Sequence, residues 1–108
     1  MNPYDKAREL ARAIEESDVY KTFKEIKTKV DANEKTKSMI EDFQKKQFET
    51  QKKQMLGEEL TEEDSKKIQE LFSILSLDSL ASEYMSAEFQ YAQMIQDISK
   101  ILGEVLDQ

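Results

Sequence analysis

An all-α fold is predicted, made of long antiparallel helices in a hairpin or bundle that a second copy of the chain completes. Three observations predict it. Glycine and proline are scarce, with two of one and one of the other in the whole chain, so little stops a helix once started. The apolar residues recur at steps of three and four, the period of one helix face. One glycine, Gly57, stands at mid-chain between two such stretches. Disorder is the competing reading. Leu, Ile, Val and Phe are sparse and charged residues make up 36% of the chain, close to compositions that stay unfolded. Their periodic order decides for folding. The expected organisation is a single helical domain over residues 1–108, with a helical arm at about 3–56, a corner at 57–61 and a second arm at about 62–106.

The first helix begins at NPYD. Asn2 is suited to cap, Pro3 presets φ at the first helical position, and Asp5 sits favourably in the first turn. Tyr4, Ala7, Leu10, Ala11 and Ile14 follow at helical spacing. Ser17 and Asp18 offer a cap for a second helix carrying Val19, Tyr20, Phe23, Ile26 and Val30. The sequence leaves open whether the chain breaks there or continues as one kinked rod. DANE, at 31–34, reads as an interruption with Asn33 as cap. From there to Leu56 the residues are strong helix formers. Met39, Ile40 and Phe43 make an apolar patch, followed by Phe48, Met55 and Leu56. Between them lie Gln44, Gln47, Gln51 and Gln54, a thin stripe that reads as a partly solvated arm or as a polar seam against a partner.

The densest run of charge, QKKQMLGEELTEED at 51–64, is the stretch most like a chemical site. Its order points instead to a corner formed by Met55, Gly57, Thr61 and Asp64. Gly57 takes a left-handed conformation at little cost where a helix stops. Thr61 and Asp64 form a capping-box pattern with Asp in place of the usual Glu. Glu62, Glu63 and Asp64 suit the first turn of the next helix, and Lys52 and Lys53 the last turn of the one before. A calcium loop needs alternating oxygen ligands around a central glycine, an order this run lacks.

Ile68, Leu71, Phe72, Ile74 and Leu75 mark the helix after the corner, and SLDS at 76–79 either ends or bends it. Then comes the longest periodic signal. Leu77, Leu80, Tyr84, Ala87, Tyr91, Met94, Ile98, Ile101 and Val105 alternate by three and four without an error, a coiled-coil seam. It is the expected packing and oligomer ridge, and Ile95 and Leu102 widen it toward the end, where burial is expected to be deepest. Phe89 lies off the stripe.

With no Cys, His or Trp, the chain has no disulfide, thiolate nucleophile, ordinary zinc site or Ser-His-Asp arrangement. No cofactor, metal or catalytic residue is therefore assigned. MNPYDKAREL is too polar for a signal peptide, and no run reaches the length of a membrane span. A cytoplasmic protein is expected. The net charge of −7 is uneven: residues 1–57 carry +2 and residues 58–108 carry −9. The acidic half opposes phosphate-backbone binding. The lysines of KTFKEIKTKV, at 21–30, spread around their helix, so direct nucleic-acid binding is not expected.

Together these parts resemble the YlbF/YmcA family of small helical bacterial proteins, most closely its YheA branch. The residues that carry the likeness are Phe43, Gln47, Gln51, Lys53, Gln54, Met55, Gly57, Glu58, Glu59 and Thr61 at the corner. Tyr4, Asp5, Ala7, Leu10 and Tyr20 do so at the start, and Ala87, Glu88, Met94, Ile98 and Ile101 in the last helix. The resemblance implies an all-helical, non-enzymatic protein that pairs with copies of itself. It further implies an accessory regulatory role in mRNA processing, competence, biofilm formation or sporulation, exerted through another protein. Relatives in that role are described as holding iron–sulfur clusters through cysteines; this chain has none, so cluster binding does not carry over. A helical chaperone or secretion-associated hairpin protein is the alternative. The Trp of the secreted Trp-x-Gly hairpins is absent, and GEELT stands in its place.

Overall fold

The computed structural model describes residues 2–106. Five helices follow in order: α1 (Pro3–Glu16), α2 (Asp18–Asp31), α3 (Glu34–Met55), α4 (Glu62–Ser76) and α5 (Ser79–Leu106). No strand occurs among the described residues. The fold is all-α.

Each helix boundary has a local chemical cause. Asn2 caps α1, accepting the Tyr4 N–H at 2.8 Å, and Pro3 follows at the first helical position. Ser17 serves both sides of a one-residue break. Its hydroxyl donates to the Ile14 carbonyl at 2.6 Å and accepts the Tyr20 N–H at 3.2 Å. The open question between one rod and two is thus answered as two helices. Asn33 caps α3 through the Thr36 N–H at 3.1 Å.

The end of α3 is a Schellman motif. The Glu58 N–H donates to the Lys53 carbonyl at 2.9 Å and the Gly57 N–H to the Gln54 carbonyl at 3.1 Å. Gly57 sits at φ +78, the left-handed region where a Cβ crowds the following carbonyl. A Cβ built on Gly57 would meet nothing within 4 Å, so only the backbone resists substitution. Gly57→Ala is accordingly expected to cost about 1–2 kcal/mol, read as a lowered thermal midpoint with unchanged helix content.

The chain forms two compact units, Met1–Thr28 with Tyr84–Gln108, and Lys29–Glu83. In the second, α3 and α4 run antiparallel. Thr36 bonds Asp78, Phe43 meets Phe72, and Lys46 and Lys53 both reach Asp64, so rising positions on one helix match falling positions on the other. Val30, Ile40, Phe43, Leu75 and Ala81 are its buried apolar residues. In the first unit, α2 and α5 meet through aromatic rings. Phe23 stacks on Tyr91 at 5.1 Å and 7° and tilts against Tyr84 at 5.7 Å, while Tyr20 meets Tyr91 edge-on at 5.9 Å. Offset and edge arrangements of this kind suit the ring quadrupole. Among the described residues of this unit only Tyr84 and Ala87 are buried. No residue of α1 is buried.

Candidate functional site

The corner comes first, because its carboxylates most resemble chemistry. Thr61 caps α4, its hydroxyl accepting the Asp64 N–H at 3.1 Å, and Asp64 Oδ2 accepts the Thr61 N–H at 3.1 Å. The pattern legible as Thr-x-x-Asp is a formed capping box. Two further partners of Asp64 come from α3: Lys46 Nζ at 3.0 Å and Lys53 Nζ at 2.9 Å. Asp64 is buried while both lysines keep part of their surface in water. Hydrogen bonds from Lys53 and Lys46, then from the Thr61 backbone, hold its carboxyl far below the usual range. The bond to Asp64 in turn raises Lys53. A carboxylate so fully engaged is a staple across the hairpin and a poor proton donor.

Asp78 does the same at the hairpin's other end. Its Oδ1 accepts the Ala81 N–H at 2.9 Å, capping α5, and its Oδ2 accepts the buried Thr36 hydroxyl at 2.9 Å. The Ala81 and Thr36 bonds lower its carboxyl as well. Both folded-state values lie below the unfolded value. The stability they supply is therefore complete above about pH 4 and is lost progressively as the pH falls toward the folded values. Asp64→Asn keeps an oxygen for the cap and removes the charge. The variant is expected to melt lower at neutral pH. On acidification below about pH 4 its midpoint should fall less than that of the parent, measured by circular dichroism across pH.

The long ridge is divided by the structure. Leu77 is no part of it: α4 ends at Ser76, and Leu77 is its C-cap, 89% exposed. The physical reason is Asp78, which turns the chain into a new helix cap while tied to Thr36. Tyr84 and Ala87 are buried. Leu80, Tyr91, Met94 and Ile98 are half-buried. Ile101 and Val105 stand 63% and 73% exposed, with Leu102 and Leu106 beside them at 49% and 75%. Within the single chain, burial thus fades toward the C-terminal end, the part of the ridge expected to be deepest once covered. Among the described residues, none closes over these four side chains.

The glutamines divide too. Gln44 is half-buried, whereas Gln47, Gln51 and Gln54 are exposed. Met55, at the corner, is 87% exposed, and Phe48 is 67% exposed. Lys46 is the functional side chain that sequence reasoning missed. Its pairing with Asp64 joins two different helices, and the one hint was its i,i+7 spacing from Lys53. Among the described residues, no group of His, Cys, Asp and Glu is placed to hold a metal ion. No helix there is long and apolar enough to cross a membrane.

Comparison with known proteins agrees with this architecture. The profile of the family described as "Control of competence regulator ComK, YlbF/YmcA" matches residues 4–107. A UPF0342 protein of Caldicellulosiruptor bescii is 47% identical over 106 residues, covering 98% of this chain and 89% of that protein. A UPF0342 protein of Staphylococcus epidermidis is 40% identical over 108 residues, covering 100% and 95%. Among solved structures, a DUF964 protein of unknown function from Bacillus stearothermophilus superposes with a TM-score of 0.81 at 21% identity, covering 96% of this chain and 91% of that one. Bacillus subtilis RicA, solved in complex with RicF, gives a TM-score of 0.60 at 20% identity, covering 96% and 92%. With the profile spanning nearly every residue and the helical architecture shared, the chain belongs to the YlbF/YmcA family.

Proposed function

We propose that this chain is a non-enzymatic interaction protein that pairs with a second copy of itself. Through a further protein, it acts as an accessory factor in bacterial mRNA processing or developmental control. The observation that carries the reading is the uncovered ridge of Ile101, Leu102, Val105 and Leu106 at the end of α5. In the same unit, α1 presents an apolar stripe with no buried residue. Two helices side by side each cover one face of the other. Half-buried Tyr20, Phe23 and Tyr91 are the expected result of such a two-helix layer. A second copy supplies the missing layer, as in four-helix packing. The engaged state of Asp64 and Asp78 supports a structural use of the acidic residues. The family's description and the RicA–RicF complex support a protein-binding role in regulation.

Static light scattering at micromolar concentration tests the pairing: a mass of twice that of the single chain or more supports it, and a well-folded monomer removes its basis. The regulatory half is tested by mapping transcript ends in a bacterial strain lacking the gene. Shifted ends that return on complementation support the mRNA-processing reading, and unchanged ends remove it.

A further inference from the structure

The outer face of α3 near the corner carries a second uncovered surface, distinct from the α5 ridge. Phe48, Gln51 and Met55 follow at steps of three and four, so they share one face. Leu56 extends the patch past the helix end. Phe48 is 67%, Met55 87% and Leu56 68% exposed. The inner face, with Thr36, Ile40, Phe43 and Thr50, is buried and is a different set of positions. The lysines of this stretch form two pairs at the same i,i+7 spacing. Lys46 and Lys53 turn to Asp64. Lys45 and Lys52 lie three before and four after Phe48, and among the described residues no ion pair involves either of them. An apolar stripe of Phe and Met is thus edged by two uncommitted cations. Glu41 lies seven positions before Phe48 on the same face, Glu49 stands between Lys45 and Lys52 but is drawn to Lys46 at 3.8 Å, and Glu58 and Glu59 follow beyond the corner.

We propose that this face docks an amphipathic helix of a different protein, apolar along one side and acidic along its edge. Phe48 supplies the aromatic anchor and Met55 an adaptable contact. Lys45 and Lys52 select the acidic edge, as edge charges set partner choice between paired helices. A second copy of this chain is the weaker occupant. On the pairing reading above, its acidic apolar ridge already covers the same ridge of the other copy, which leaves no ridge free to enter this face.

The test uses two fluorescent three-heptad helical peptides with leucine at every seam position, one edged with Glu and the other with Lys, titrated against the full chain. The Glu-edged peptide should bind saturably, and roughly tenfold or more tightly than the Lys-edged one at low salt, with the difference shrinking as salt rises. Lys45→Glu combined with Lys52→Glu should reverse that preference. Phe48→Ala should weaken both peptides about tenfold. All three substituted positions are exposed, so the variants should keep the parent's helicity and molar mass. Failure of the Glu-edged peptide to bind, or binding indifferent to these substitutions, overturns the proposal. So does a fall in molar mass in the Phe48 variant, which would make the face a contact between copies. The self-pairing reading survives the first two outcomes, since the α5 ridge is untouched.

Discussion

Leu75→Ala is expected to lower stability by about 3 kcal/mol, within the range for leucine truncations in well-packed cores. Leu75 is 2% exposed, the least accessible of the large side chains on α4. It lies one turn before Asp78, so a cavity there also loosens the Thr36–Asp78 tie that closes the hairpin. Domains of this size hold a total of about 5–15 kcal/mol. The loss is a large share of that, and the thermal midpoint should drop by roughly 12–24 °C. Leu77→Ala is the control, because Leu77 is 89% exposed two residues away. It should change stability by no more than about 0.5 kcal/mol, as ordinary surface substitutions do. Thermal denaturation of the two variants side by side reads the difference, and equal shifts would exclude Leu75 from the hairpin core.

The second large effect is on association. Ile101→Glu with Val105→Glu puts two charges on the exposed end of α5. Within one chain both positions face water, so helicity and midpoint of the isolated fold should hardly change. If a second copy covers the ridge, each carboxylate is buried without a partner, which costs several kcal/mol. Pairing should then weaken about 100-fold or more, read as a fall to monomer mass by light scattering. Phe89→Glu is the matched control: 69% exposed but off the ridge, it should leave the mass alone. A double variant that keeps the parent's mass places the contact elsewhere.

Much of the fold was legible because its signals are local. Asn2, Ser17, Asn33 and Thr61 cap helices through bonds to N–H groups two or three residues ahead, an interaction a short window of sequence contains in full. Gly57 is similar: only its own backbone demands φ +78. The ridge was readable as a period, but its cover was not. Spacing says which residues share a face and nothing about how much of that face the chain's own helices hide. That is why Ile101 and Val105, expected among the deepest, are exposed while Tyr84 is buried.

The helical class, the caps, the corner and the family could all be read from residue order, since each rests on propensity and on hydrogen bonds between near neighbours. Three features needed the folded chain. Lys46 joins Lys53 on Asp64, Thr36 reaches across the hairpin to Asp78, and Leu77 leaves the ridge. They depend on which distant side chains the fold brings within hydrogen-bonding reach, and closure of the intervening chain, not periodicity, sets that distance.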